Sequence, residues 1–518
     1  MKNTLIVLFL VFATTLVKAQ NMPLSYTFGG KYNDRYKFSN LMAMTSDGNG
    51  GYLLVRAYYT GLILKPKGYY IERYDKDLSL LSEYNFKIKD LDFVDAFVNN
   101  GQLNLLFLQY NQRSESYEYV VQSSPLENMG FSPKTILSIP SIRVDSPLEK
   151  NYYNRNFSSG FTTTVLFNKD KSAFAISAHF KKKSDNQHFI YLFDNSLNKL
   201  ITHDFSSQIE EKNYAFENIE VSKDKSVIYL IGKAYFKKKR FAITERKFQY
   251  ELVRITTNND EKTQTFDGPG KFSEALIPIL TGNRLLCVGF YADRKDNRYN
   301  GLTYVDIDPE SLEIRTKKYD PFSQQFMKDK FGKEMDKEIK NLVFKNVSLT
   351  SDGSILFNAE EEFVTDSYQS DGGGNRIKIN RYHYNDIVSA KLDSSGNMVW
   401  ARNINKSEVT QGDGAYASYS TYTNGDTTYF FISTAAENPQ QLGVDRIVFR
   451  QGYTHNRNVF AIELDALGHM SWEKVIDDKE ARLPLMVSLP YIDYINDTVL
   501  FYAKRGNKKQ LVKVSVGS

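Results

Sequence analysis

The stretch "DIVSAKLDSSGNMVWARNI" at 386–404 returns as "NVFAIELDALGHMSWEKVI" at 458–476. Both carry Leu-Asp, then Gly three residues after the Asp, then Trp four residues after the Gly: Leu392, Asp393, Gly396, Trp400 and Leu464, Asp465, Gly468, Trp472. A repeated strand–turn–strand unit restricts a chain to architectures built by repetition. Weaker copies of the strand end occur at Tyr74-Asp75, Phe193-Asp194 and Ile307-Asp308. An Asp at this place accepts hydrogen bonds from backbone N–H groups two or more residues on, which stops the strand and starts a turn. "SSPLEN" (123–128) and "TNNDEK" (257–262) occupy the same place without the Asp.

A second series of turns precedes these, including "SDGNG" (46–50), "NNGQ" (99–102), "NKDKS" (168–172), "SKDKS" (222–226), "SDGS" (351–354) and "TNGDT" (423–427). Asn-Gly and Asp-Gly supply the positive φ of tight hairpins. Apolar runs such as "GYLLVRAYY" and "SVIYLIGKAYF" follow, as in strands buried on both faces. The unit is therefore strand, tight turn, buried strand, variable connection, strand ending in Asp, short turn, outer strand. Four antiparallel strands recurring in this way form a β-propeller blade. The expected fold is all-β, an eight-bladed propeller with seven blades as the alternative. "SYTFGG" (25–30) resembles the outer strands "THDFSS" and "TQTFDG", so the N-terminal strand is expected to complete the last blade. Trp400 and Trp472 are expected at equivalent places between blades.

Residues 1–19 read as a secretion signal: Lys2, the apolar run "LIVLFLVFATTLV", then Val17 and Ala19 before the cleavage point. Residues 20–518 then form one domain in an extracytoplasmic compartment, periplasmic or at the cell surface, with no transmembrane segment after signal removal. The single cysteine, Cys287, has no disulfide partner and sits in an apolar run as a small buried hydrophobe. A net charge of +5 over 518 residues points to no nucleic-acid partner. An outer-membrane β-barrel also has aromatic-rich strands after a signal, but its strands alternate polar and apolar positions.

The Leu-Asp-x-x-Gly-x-x-x-Trp hairpin resembles the repeat of secreted bacterial β-propellers common in Bacteroidetes, and "SYTFGG" resembles the end of that repeat. The resemblance implies a propeller. It carries no active site.

Long connections on a rigid scaffold are where binding residues collect. "ADRKDNRYNG" (292–301), "VTDSYQSDGGGNRIKINRYHYND" (364–386) and "ENPQQLGVDRIVFRQGYTHNRN" (437–458) all precede third strands. They hold Arg298 and Tyr299, then Arg381, Tyr382 and His383, then Tyr453, His455 and Arg457. Arginine offers a planar fork for carboxylates and tyrosine a stacking surface. Lys181, Lys182, Lys183 and Lys237, Lys238, Lys239 form two basic clusters in neighbouring units. Together these residues are expected to line one binding face for an anionic glycan or a cell-envelope protein, in a monomer.

No histidine pair has metal-ligand spacing, and no phosphate loop or nucleophile elbow occurs, so neither metal nor cofactor is expected. The acidic segment "AEEEFVTDSYQSDGGGN" reads as a solvated loop. "DPFSQQFMKDKFGKEMDKEIKNLVF" (320–344) reads as an inserted helix, with Met327, Phe331, Met335 and Ile339 at every fourth residue. The expected function is non-catalytic binding of a protein or glycan. A polysaccharide lyase or glycosidase is the alternative.

Overall fold

The computed structural model describes residues 22–517 except 61–64, 89–90, 145–159, 184, 210, 237–247, 269, 294–297, 371–375, 413, 444–445 and 453–456. The signal segment, Lys237, Lys238, Lys239, Tyr453 and His455 lie outside the described residues.

The turns dictate the sheets. In the second turn series, Gly48, Asn100, Lys171, Lys225, Gly282, Gly353, Gly425 and Asp497 all have positive φ, the backbone form that closes a tight hairpin. The Asp turns work as their chemistry requires. Asp393 Oδ1 accepts from the N–H groups of Ser395 (2.9 Å) and Asn397 (2.8 Å), and Asp465 Oδ1 from those of Leu467 (2.9 Å) and His469 (2.8 Å).

Between these turns the chain forms antiparallel meanders in chain order. The first sheet holds Ser39–Ser46, Tyr52–Thr60, Lys65–Tyr74 and Leu80–Phe86; the second runs from Asp92–Asn99 to Ser132–Pro140. The third holds Phe161–Phe167, Ala173–Lys182, Asp185–Asp194 and Lys199–Asp204. The fourth holds Lys212–Val221, Val227–Phe236, Phe248–Thr256 and Glu261–Thr265. The fifth has Phe272–Thr281, Arg284–Ala292, Gly301–Ile307 and Ile314–Pro321. The sixth has Leu342–Leu349, Ile355–Ser370, Arg376–Leu392 and Met398–Thr410, with Ile447–Arg450 added in parallel at its edge. The seventh holds Tyr419–Asn424, Thr427–Thr434, Asn458–Leu464 and Met470–Ile476. The last has Tyr491–Asp493, Thr498–Arg505 and Lys508–Val516, and Leu24–Phe28 pairs with Val512–Val516 as its outer strand. The N-terminal strand thus takes the place that its sequence indicated. Four-stranded antiparallel sheets of this kind are propeller blades. Among the described residues the strands form separate sheets, so the β-barrel reading is not supported.

The core lies between sheets. Leu53, Val55 and Ile71 of the first sheet pack on Leu103, Leu105 and Phe107 of the second. Similar clusters join each later pair. A further one sets Tyr52, Leu54 and Tyr74 of the first sheet against Leu500, Tyr502 and Leu511 of the last. That contact also holds a buried charge cluster. Arg56 donates to Asp34 (2.7 Å) and to Glu72, while Lys504 reaches Asp34 (2.6 Å) and Lys509 reaches Asp34 (3.0 Å), Glu72 and Glu83 (2.8 Å). Burial pushes the Asp34 carboxyl up, but the three cations outweigh it and hold it well below the usual range. Breaking such a pair from one side leaves a buried charge uncompensated, so the cluster fixes how the two ends of the chain meet.

Three expectations need correction. The helix covers only Gln324–Phe331: Ser323 Oγ caps its start, and Gly332 at φ 74° ends it. Met335 and Ile339 therefore leave the helical stripe, and Ile339 pairs with Tyr299 as a strand. The segments read as loops at 364–386 are largely strand, because the second and third strands of the sixth sheet run on as a long hairpin. The two tryptophans are not equivalent either: Trp400 is 8% exposed and Trp472 is 39% exposed. Cys287 is buried as expected, and burial pushes its thiol up.

Candidate functional site

In each meander the connection between second and third strands emerges at the same end as the start of the first strand. Two adjoining cavities open at that end, on either side of the first strand of the fourth sheet.

The larger, about 610 Å³, lies between the third and fourth sheets and is lined by Thr163, His179, Lys181, Asn186, Asn213 and Tyr235 among others. His179 and His188 face each other across a two-residue turn, in direct register, with ring centroids 3.5 Å apart. His179 Nε2 lies 3.1 Å from the Tyr214 carbonyl oxygen. A carbonyl only accepts, so this nitrogen carries the proton and Nδ1 keeps its lone pair. Burial pushes the His179 imidazole down to about 4, so it is neutral at physiological pH. The Tyr214 hydroxyl donates to Glu251 (2.8 Å). By contrast, Lys181, Asn186 and Asn213 make no side-chain hydrogen bond or ion pair among the described residues, and Tyr235 is 41% exposed. A cation, two amides and an aromatic ring thus face one open volume.

The second cavity, about 500 Å³, is lined by Glu217, Lys233, Tyr250, Glu274, Tyr299, Lys345 and Glu362 among others. Its charges are mostly paired. Glu217 takes Lys233 (2.9 Å) and the Tyr250 hydroxyl (2.6 Å). Lys345 bridges Glu362 and Glu360 (3.4 Å), and the buried Lys406 bridges Glu360 (2.6 Å) and Glu408 (2.9 Å). Burial raises the Glu362 carboxyl; Lys345 opposes this, and the neighbouring Glu360 adds to it. Glu360 and Glu362, read as part of a solvated acidic loop, are instead held in this network.

The residues singled out in the sequence are only partly brought together. Lys181 lines the larger cavity. Lys182 donates to the Ile142 carbonyl, and Lys183 is exposed. Tyr299 is 5% exposed and packs on Phe290, with centroids 5.2 Å apart, so it is a core ring that only borders the second cavity. Arg298 lies 3.6 Å from Glu338. Arg381 and Tyr382 stand on the exposed outer part of the sixth-sheet hairpin; His383 stacks on Phe363 and contacts Thr365 Oγ1 (2.8 Å). Arg457 donates to the Tyr416 carbonyl (2.8 Å). Arg298 and Arg457 therefore have separate local partners, and Arg381 stands exposed on the hairpin. The histidine pair went unnoticed in the sequence, although "HFKKKSDNQH" places the two residues symmetrically about the turn. Asp34, Glu72 and Glu83 have carboxylate oxygens within 4.8 Å of one another, but Arg56 and Lys509 already supply the positive charge there.

No protein-family model matches this chain, and no curated protein does. Similar solved structures include the β-propeller domain of the Trilobed protease from Pyrococcus furiosus, with 11% identity, TM-score 0.37 and coverage of 85% of this chain and 97% of that one. The polysaccharide lyase Uly1 has 9% identity and TM-score 0.37, with 92% and 89% covered. Sqt1 of Chaetomium thermophilum, bound to the N-terminus of ribosomal protein L10, has 10% identity and TM-score 0.38, with 93% and 98% covered. Likeness at this level assigns no function.

Proposed function

We propose that this chain is an exported, non-catalytic β-propeller of eight blades that binds an anionic glycan in the cavity between its third and fourth sheets. The sheet succession, the outer strand Leu24–Phe28 and the packing of first on last sheet support the ring. The N-terminal apolar run supports export. The observation that carries the binding reading is the 610 Å³ cavity in which Lys181, Asn186 and Asn213 engage no side-chain partner among the described residues, beside exposed Tyr235. Lys181 suits a carboxylate or sulfate, the amides suit hydroxyls, and Tyr235 suits a sugar ring face. Calorimetric titration with uronate-containing and neutral oligosaccharides tests this. Binding is expected for the acidic set, weaker at high salt, and about tenfold weaker in Lys181→Ala, a change of 1.4 kcal/mol. Equal binding of neutral and acidic sugars, or none at all, would reject it.

One observation favours a lyase as the second reading: the neutral His179, with Nδ1 able to accept a proton, shares the cavity with Lys181 and Tyr235. Incubation with a uronate polymer separates the readings. A rise in the ultraviolet absorbance of an unsaturated product supports the lyase, and a stable bound polymer supports binding.

A further inference from the structure

A third cavity, of about 350 Å³, lies between the outer strands of the sixth and seventh sheets and is bordered by Pro439, Gln441 and Ile447 of the seventh sheet's long connection. Its lining includes Trp472, Arg402, Asp329, Asn403, Asn405 and Gln441. Its origin is a strand register. Four of the five hairpins opened by an Asp turn carry a one-residue bulge just after the turn, at Leu81, Leu200, Arg315 and Val399. The seventh sheet lacks it there: Leu464 pairs Met470, Glu463 pairs Ser471 and Ile462 pairs Trp472 in unbroken register. A shift of one residue moves a side chain to the other face of its sheet. Trp472 consequently turns back toward the sixth sheet, beside Phe449, and keeps 39% of its surface exposed.

The groups around it are planar and polar. Arg402 donates to both carboxylate oxygens of Asp329 (2.6 and 3.2 Å) and to the Gly468 carbonyl. Three of its five N–H groups are thereby used, and the charge of the pair cancels. Asn405 donates to the carbonyls of Asp329 (2.6 Å) and Ile447 (2.9 Å). Asn403 is 1% exposed and uses its amide N–H groups on Asp386 and Asn405, while its Oδ1 has no donor among the described residues. An aromatic plate and a charge-neutral Arg–Asp pair share one open volume, with the unmet Asn403 acceptor buried in its wall.

We infer that this groove is a subsite for a neutral saccharide, one or two rings long, with one pyranose face on the Trp472 indole. The C–H face of a pyranose is apolar enough to cover an indole, and its hydroxyls suit in-plane amide and guanidinium groups. The volume falls at the small end of ligand sites, roughly 300–1,000 Å³. With no net charge in the lining, the site takes uncharged sugars and is distinct from the Lys181 cavity.

The chain has only two tryptophans, so emission reports the site directly. Wild-type protein is titrated with glucose, galactose, mannose, N-acetylglucosamine and their disaccharides, alongside Trp472→Phe and Gln441→Ala. At least one sugar should quench wild-type emission saturably. Trp472→Phe, which keeps only the buried Trp400, should show no quench, and its calorimetric affinity should fall about tenfold. Gln441→Ala, with its melting curve recorded alongside to separate folding from binding, should weaken binding. The inference is overturned if no neutral sugar changes wild-type emission, or if Trp472→Phe binds with unchanged affinity. Loss of acidic-glycan binding at Lys181 leaves this test unaffected.

Discussion

Trp400 and Trp472 occupy the same place in two hairpins with the same Leu-Asp-x-x-Gly-x-x-x-Trp pattern, yet they face opposite neighbours. In the sixth sheet Leu392 pairs Met398 and Lys391 pairs Trp400, so Val399 bulges and Trp400 turns toward the seventh sheet. Its Nε1 donates to the Ala466 carbonyl (3.1 Å), and its ring lies against Gly468. Lys391 goes the same way and reaches Asp426 (3.0 Å). In the seventh sheet the unbulged register turns Trp472 backward. A tryptophan facing forward there would meet the last sheet, whose outer strand is supplied by Leu24–Phe28. One bulge separates a wedge from an exposed plate.

The largest effect should come from the sheet that breaks the pattern. Removing residues 22–30 strips the outer strand from the last sheet and exposes the edge of Lys508–Val516. Thermal stability should fall by more than for any single substitution below, with concentration-dependent association in light scattering. A truncated chain that melts unchanged and stays monodisperse would mean that the last sheet does not depend on this strand.

Next in size is the direct contrast. Trp400→Ala should cost ~3–5 kcal/mol in denaturant unfolding, and Trp472→Ala less than about 1 kcal/mol. Equal losses would break the comparison.

Glycine sharpens it. At Gly468, φ is 78° and an added Cβ would stand 2.7 Å from Trp400 Cγ, whereas at Gly425, φ 56°, nothing lies within 4 Å. Gly468→Ala should cost about 2–4 kcal/mol, strain plus overpacking, and Gly425→Ala about 1 kcal/mol. In a Trp400→Ala background the excess at Gly468 should shrink toward the Gly425 value, as coupled neighbours require. A fully additive double mutant would show that Trp400 does not press on that turn.

These contrasts also mark what the sequence could reveal. The Asp and Asn-Gly turns act through bonds a few residues apart, so the sheet repeat and the N-terminal outer strand were legible. The bulge was not: Val399 and Ser471 follow the same turn and methionine, and neither residue type forces or forbids an extra residue. Nor was the charge cluster of Asp34, Arg56, Glu72, Lys504 and Lys509 legible, because it is assembled from opposite ends of the chain. The helix was overread since Met327, Phe331, Met335 and Ile339 keep a helical spacing straight through Gly332, where a left-handed cap ends it. Of the proposed binding residues, Lys181 lies in a cavity at the end of its strand, while Arg298 and Arg457 found local partners that spacing alone does not disclose.

The smallest expected effect concerns the two Asp turns. Asp393 holds the Asn397 amide (2.7 Å) as well as two backbone N–H groups; Asp465 holds His469 Nδ1 (3.0 Å) in the same geometry. Slight burial pushes both carboxyls up, but the hydrogen bonds from Asn397 and His469 outweigh it and leave both below the usual value. A carboxylate depressed on folding adds stability above its unfolded pKa of about 3.9, and that stability is lost as pH falls through the folded value. Asp393→Asn should therefore destabilise by less than about 1 kcal/mol at neutral pH, since the turn is exposed and screened. Its gap from wild type should narrow steadily below about pH 4, where the wild-type carboxylate itself takes up a proton. Unfolding curves for both proteins across that range measure the gap. If it stays constant down to the acid limit, Asp393 serves through shape alone and its charge contributes nothing to the turn.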